Sequence, residues 1–439
     1  MSLIKTLPNE NVPSGWNAIL PRRMAKPALE GDVTADWVVL GAGFTGLAAA
    51  RRLAEMRPDD LIVVVDAGEV AQGASGRNSG FAIDHAHTLG GGVAAIESAL
   101  GQKRLYTTAI DHMAEIVEAD GIECDWRNDG KFHGAASKRG AEAFLKPLQQ
   151  ELDEIGEAHR WLDASDMQAE LGTAHFEAGI YTSGTVLVNP AALIRGLADA
   201  LPKNVILAEN SPVTEMDLAG PVVLKTPGGR VTANALILAT NAYTKETGFF
   251  TRQLLPFVAY ASLSRVMTAS EQSALGGRSS WGLTPANAFV GATIQRTGDH
   301  RILFRQTISY RPSLRHNKAE LEQICERHKA LFAKRFPMIR NLDLDHTWGG
   351  YLGLSRNQDS AFGKFGDHVW GAAGHQGIGV TRGTIGGILA ADMAMGLDNP
   401  LIEDMMRIAK PVQNPPSPFL EIGIAAATAW DAWRNRDEA

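Results

Sequence analysis

The chain has 439 residues, with 45% hydrophobic and 21% charged residues, which is ordinary globular usage and more than one core of usual size can absorb. A formal charge of -7 gives no basic footprint for phosphate backbones and excludes nucleic acid as an expected partner. The two cysteines, Cys124 and Cys325, lie far apart in no metal-like spacing, so neither a disulfide framework nor a metal site is expected, and a reducing cytoplasm fits best.

Residues 1–30 carry charges and prolines without a secretory apolar core, so they read as an N-terminal arm. "ADWVVLGAG" then reads as a short buried strand, "TGLAAARRLAEM" as a helix, and "LIVVVDAG" as a second strand ending at Asp66. Residues 101–180 are mainly helical patterns that break the β-α rhythm. The rhythm returns near 187 with "NPAALIRGLADAL", "VILAENSPV", "VVLKTPGGRVTA" and "ALILATNAYT". From 252 to 345 strand-like runs and a charged helix, "NKAELEQICERHKALFAKRF", suggest a separate α+β unit, the helix showing a solvated face. "HVWGAAGHQGIGVTRGTIGGILAADMAMG" is a last strand, Gly-rich turn and helix. The tail, "LEIGIAAATAWDAWRNRDEA", is an amphipathic helix expected to pack on its own domain rather than on a membrane.

The strand ends on Gly41, Gly43 and Gly46 in G-x-G-x-x-G spacing. The first glycine allows the tight turn, the second close approach of a pyrophosphate, and the third close helix packing. The helix N-terminus then offers free N–H groups and partial positive charge. Asp66, about twenty residues on, is the acid that takes ribose hydroxyls. These elements in register indicate a dinucleotide site without choosing between NAD and FAD. A second small-residue loop, "GEVAQGASGRNSGF", follows at once and offers more backbone donors to a bulky cofactor.

Four blocks, "VVLGAGFTGLAAARRLAE" with Asp66, "GASGRNSGF", "ALILATNAYT", and "TWGGYLGLSRNQD" with "WGAAGHQGIGVTRGTIGGILAADM", resemble the FAD-dependent amine and amino acid oxidoreductases of the D-amino-acid oxidase superfamily. The likeness is strongest to the gamma-glutamylputrescine oxidoreductase-like branch. The resemblance implies an α/β (α+β overall) protein: a Rossmann-like FAD-binding domain of the glutathione-reductase type, interrupted by a substrate domain of mixed sheet and helices. Expected boundaries are an arm at 1–30, a discontinuous FAD domain at 31–100, 186–242 and 345–400, a substrate domain at 101–185 and 243–344, and a C-terminal extension with a helix at 401–439.

The resemblance also places Ala67, Ser75, Gly76, Arg77, Asn78, Ser79 and Gly80 along the cofactor. Val213 would meet the adenine, and Thr240, Asn241 and Ala242 would close the nucleotide pocket. Gly374, His375, Gln376, Gly377, Ile378 and Gly379 would reach the ribityl chain and flavin ring. No cysteine or histidine stands where relatives attach the cofactor, so FAD is expected to be non-covalent. The roles of Ser355 and Asp359 in "LSRNQD" stay open. The implied chemistry is oxidation of the C–N bond of an amine or amino acid by hydride transfer to the flavin, with O2 or another acceptor reoxidising it.

His375 is the first candidate catalytic residue, as an imidazole in the flavin-facing turn able to titrate near neutrality. Tyr260 and Arg305 follow, with Arg265 and Tyr310 beside them, on strands expected to roof the flavin; arginine suits a substrate carboxylate. His85 and His87 could line the entrance, while Trp348 and Trp370 read as packing residues. The competing readings are an NAD(P)-dependent dehydrogenase, which leaves the later glycine blocks without a role, and a flavin-binding subunit without turnover.

Overall fold

Buried parallel strands need apolar residues on both faces, and the runs in this sequence supply them. In the computed structural model, which describes residues 2–8, 12–85 and 93–439, Val38, Val39 and Ile62 to Val65 are wholly buried. The strands Gly31–Leu40 and Ile62–Val65 pair in parallel, joined by the helix Phe44–Met56. Val205–Ala208 extends this parallel core on one side, and Gly229–Leu238 and Val369–Ala373 extend it on the other. Antiparallel strands Glu215–Asp217 and Val222–Thr226 complete the main path of a nine-stranded sheet with Ser2–Leu3 at its edge, and Ala361–Gly366 pairs with Val369–Ala373.

Helix Phe44–Met56 buries Leu47, Ala49, Ala50 and Leu53 against the sheet; each such leucine contributes about 2–3 kcal/mol. Its closeness to the strand rests on Gly46, where a Cβ would fall 1.7 Å from the Gly41 carbonyl oxygen. Gly41 itself turns at φ +109, a conformation that side chains disfavour.

A second, eight-stranded sheet contains in order Leu344–Leu354, Leu255–Ser264, Ile302–Tyr310, Thr293–Arg296, Trp281–Pro285, Lys131–Ala135, Ala178–Thr182 and His159–Asp163. Helix Lys318–Arg335 packs on it through Leu321, Ile324, His328 and Phe332 and turns its charged face to solvent.

Two expected boundaries shift. Leu344–Leu354 belongs to the second sheet, not to the FAD domain, because its whole length pairs with Leu255–Ser264. The helix Val93–Ala119 runs across the boundary at 100 and packs Leu105, Tyr106, Ala109 and Met113 into the core of the first sheet. The arm is built into the protein: Ser2–Leu3 adds a strand, and Trp16 is buried with its Nε1 donating to Asn78 O at 2.8 Å.

Gly46→Ala forces the strand and helix apart and costs about 3 kcal/mol or more, whereas Gly423→Ala, with open space around it in the helix Phe419–Arg434, stabilises by about 0.5–1 kcal/mol. Denaturant unfolding of both variants checks this contrast.

Candidate functional site

A cavity of about 1040 Å³ runs along the C-terminal edge of the parallel strands and under the second sheet. Its wall includes Gly41, Gly43, Asp66, Ala67, Ser75, Arg77, Asn78 and Ser79 from the first nucleotide blocks. Val213, Thr240, Asn241, Ala242, His375, Gln376, Gly377, Ile378, Gly379 and Arg305 complete the expected set that reaches it. Open α/β sheets bind ligands at this edge. Gly46, Gly76, Gly80, Gly374 and Tyr260 are not on the wall; the glycines serve the backbone behind it.

At the first turn, Ala42 N–H donates to Asp66 Oδ2 at 2.6 Å and Gly68 N–H to Oδ1 at 2.9 Å. Burial pushes the Asp66 carboxyl up from its ordinary range, against the pull of these two donors. The carboxylate is thereby fixed at the end of its strand, at the cavity wall. Phe44 N–H, at the start of the helix, donates to Ser75 Oγ at 3.0 Å, so the second loop is docked onto the first.

The loop around residues 74–80 is held from outside. Ser14 Oγ donates to Gly76 O at 2.7 Å and Trp348 Nε1 to Arg77 O at 3.0 Å. Arg77 turns its guanidinium to carbonyls: Gly349 O at 3.0 Å, Val12 O at 2.6 Å, and Gln72 O. Its charge therefore ties loop, arm and second sheet together. Asn78 likewise bonds within its own loop, to Ser75 O at 2.7 Å and from Gly80 N–H at 2.8 Å.

At the other end, the turn before the helix Thr381–Met395 has positive φ at Gly374, Gln376 and Gly377. Successive N–H groups in such a turn can form an anion-binding concavity. The Gln376 side chain donates to Gly374 O at 2.8 Å and Asp359 O at 3.1 Å and accepts from Ser355 N–H at 3.2 Å. Ser355 and Asp359 thus brace the turn.

His375 is buried, and its Nε2 shares a 3.0 Å hydrogen bond with Thr45 Oγ1. Burial, with Arg382 nearby, pushes its pKa down to about 3. The expected titration near neutrality does not hold: this imidazole is neutral at pH 7. Its Nδ1 is buried without a hydrogen-bond partner among the described residues. An orphaned ring nitrogen on the wall, the glycine turn, the fixed acid and the Gln376-braced turn together fit a large two-headed nucleotide.

Arg305 lines the roof, with Nη1 donating to Ala288 O at 3.3 Å, and no carboxylate pairs with it among the described residues. Burial lowers its pKa to about 10, so the guanidinium keeps its charge at neutral pH. Tyr260 lies behind the roof and donates to Glu320 Oε1 at 2.5 Å, beside Arg311; the structure does not bring it to the cavity. Arg265 pairs with Glu271 and Asp343 away from the wall, and Tyr310 packs on Phe257. His85 lies in a separate small cavity, 3.1 Å from Glu151. His87 falls outside the described residues.

Four contributors were missed in the sequence. Thr45 sits within the glycine motif but carries no spacing signal of its own. Ser14 and Trp16 lie in the arm. Asp431 reaches the cavity from the C-terminal helix, with Ile424, Ala427 and Thr428 on the same stripe. Their 424, 427, 428, 431 spacing was visible, though not what it faces.

A dinucleotide sheet roofed by a second sheet over one shared cavity, with an acid fixed beside the glycine turn, defines a flavin-type oxidoreductase. The chain belongs to the FAD dependent oxidoreductase family (DAO), which it matches over residues 36–393, and FAD is its cofactor. It is similar to the gamma-glutamylputrescine oxidoreductase of Escherichia coli strain K12, with 27% identity over 84% of this chain and 85% of that protein. It is also similar to the probable oxidoreductase OrdL of Haemophilus influenzae, with 26% identity over 84% of each. The fold is shared with the glycine oxidase of Geobacillus kaustophilus at a TM-score of 0.72 and 18% identity, covering 88% of this chain and 100% of that one. Among the described residues no helix is long and apolar enough to cross a membrane.

A histidine held neutral in the fold but protonated when unfolded lowers stability as the pH falls from about 6.5 toward about 3. His375→Asn should remove about 1.4 kcal/mol per pH unit from the slope of unfolding free energy in that window. Urea titrations of both proteins at several pH values measure it; an unchanged slope contradicts a buried neutral His375.

Proposed function

We propose that the protein oxidises the C–N bond of a carboxylate-bearing amine, giving an imine that water converts to a carbonyl compound and ammonia or a smaller amine. Gly41–Gly43, Asp66, Ser75–Ser79 and the Gly374–Gly379 turn would hold FAD non-covalently, and the bound cofactor would supply the two-electron acceptor for the hydride lost from the carbon next to nitrogen. The observation that carries the reading is Arg305, a half-buried cation with no carboxylate partner among the described residues, in the roof of the cavity opposite the nucleotide blocks.

Each part of the chain then has a task. Arg305 binds the substrate carboxylate by charge-assisted hydrogen bonds. Oxidation needs a neutral amine, and neutral His375 adds no negative charge that would hold the nitrogen protonated. N–H groups of the Gly374–Gly379 turn stabilise negative charge developing at their end of the cavity. Phe257, Phe289 and Ile308 give the roof an apolar lining that excludes water. The gamma-glutamyl amine named for the Escherichia coli relative is one such carboxylate-bearing amine.

A charge-assisted hydrogen bond to a carboxylate contributes about 1.5–3 kcal/mol. Arg305→Met should therefore raise KM for carboxylate-bearing amines about 10- to 100-fold, with kcat much less affected and Arg305→Lys in between. Steady-state kinetics with amines that carry or lack a carboxylate provide the check. Equal loss on both sets would contradict the assignment.

A further inference from the structure

The C-terminal helix Phe419–Arg434 is a strap over the cavity. It is anchored at both ends. Before it, Asn414 N–H donates to Arg252 O at 2.8 Å and Asn414 Nδ2 to Gln253 O at 3.1 Å. After it, the buried Glu438 carboxylate accepts from Ala136 N–H at 2.9 Å and Ser137 Oγ at 2.5 Å. Between these anchors the stripe Ile424, Ala427, Thr428 and Asp431 faces the cavity.

Asp431 is bound only by neutral groups: Asn287 Nδ2 at 3.2 and 3.3 Å and Asn435 Nδ2 at 2.7 Å. Arg305 touches the adjacent residue of the same loop, Ala288. Opposite charges thus meet consecutive residues of one loop on the wall of one cavity. Yet among the described residues neither has an ion-pair partner within 4.0 Å, including each other. They are the charged side chains that the second sheet and the C-terminal helix give to the cavity wall. Unpaired charges facing a partly dehydrated space are costly unless a ligand answers both.

We infer that Arg305 and Asp431 together grip an α-amino-acid head group of the substrate, its carboxylate on Arg305 and its ammonium on Asp431, while a second amine of the same molecule is the one oxidised. This deepens the function proposed above and rests on it. A nitrogen held against a carboxylate stays protonated and has no lone pair to assist hydride loss, so the nitrogen at Asp431 is not the reacting one. The substrate class is therefore an amino acid extended by a chain that ends in a further amine, as in a gamma-glutamyl diamine. Asp431 is a specificity-determining residue, and the strap makes the site selective for the doubly charged head.

Two ligands that lack the terminal amine test this by binding to the holoenzyme, read from the perturbed flavin spectrum under anaerobic conditions. One is γ-glutamyl-n-butylamide, with both head-group charges; the other is its deamino analogue N-butylglutaramate, with the carboxylate alone. The wild type should bind the first at least about tenfold more tightly. Asp431→Asn, which keeps the shape and the neutral contacts, should erase that preference while holding the affinity for N-butylglutaramate within about twofold. Asp431→Glu should retain part of the preference, and Arg305→Met should weaken both ligands. An unchanged preference in Asp431→Asn, or no binding of either ligand by the wild type, overturns the inference. If some other amine then bleaches the flavin, the function proposed above survives that failure; ligand preference with no amine able to bleach the flavin is the reverse case.

Discussion

Everything in this protein is arranged around the close approach of the helix Phe44–Met56 to the strand Gly31–Leu40. With Gly46 against the Gly41 carbonyl, the helix N-terminus is held directly at the strand end, beside the fixed carboxylate of Asp66. That contact sets the position of Ser75, which receives Phe44 N–H, and of Thr45, which receives or donates the hydrogen bond of His375. Two loops far apart in sequence are thereby referred to one helix terminus. A cofactor lying on these loops inherits a rigid frame without any loop needing rigidity of its own.

The second constraint is the roof. The Arg77 guanidinium joins the small-residue loop to Gly349 O on the roof strand and to Val12 O in the arm, while Trp16 and Trp348 bond the same loop from either side. The two sheets are thus joined by hydrogen bonds to backbone carbonyls, which depend on geometry and not on the identity of neighbouring side chains. Arg305 belongs to the roof two strands from Leu344–Leu354, roughly 10 Å across the sheet. The spacing leaves room for a substrate between the nucleotide blocks and the charged end of the cavity. On the reading proposed above, the first sheet holds the cofactor, and the roof and the strap select what meets it.

How much of this could be read from the residues depended on how local the cause was. The β-α-β unit was legible because its apolar runs, glycine spacing and acid all act within thirty residues. The cavity wall at Ser75, Arg77–Ser79, Thr240–Ala242 and His375–Gly379 was legible through family resemblance. The hidden parts are set by tertiary contact. Nothing near Tyr260 in sequence says that its hydroxyl turns toward Glu320 and away from the cavity. The pattern of Leu344–Leu354 fits either sheet, and only its pairing with Leu255–Ser264 decides. His375 looked able to titrate near neutrality because burial and the nearby Arg382 charge cannot be seen along the chain. The terminal helix displayed its stripe but not the cavity beneath it, and its other face leaves Phe419, Ile422, Trp430 and Trp433 exposed.

The most direct test of the central claim is anaerobic mixing of the purified yellow protein with amines that carry a carboxylate and with matched amines that lack one, following the flavin absorbance. Loss of the oxidised flavin band with the carboxylate-bearing set, at far lower concentrations than with the matched set, is the result predicted. Bleaching indifferent to the carboxylate, or a flavin that no amine reduces, would contradict the account.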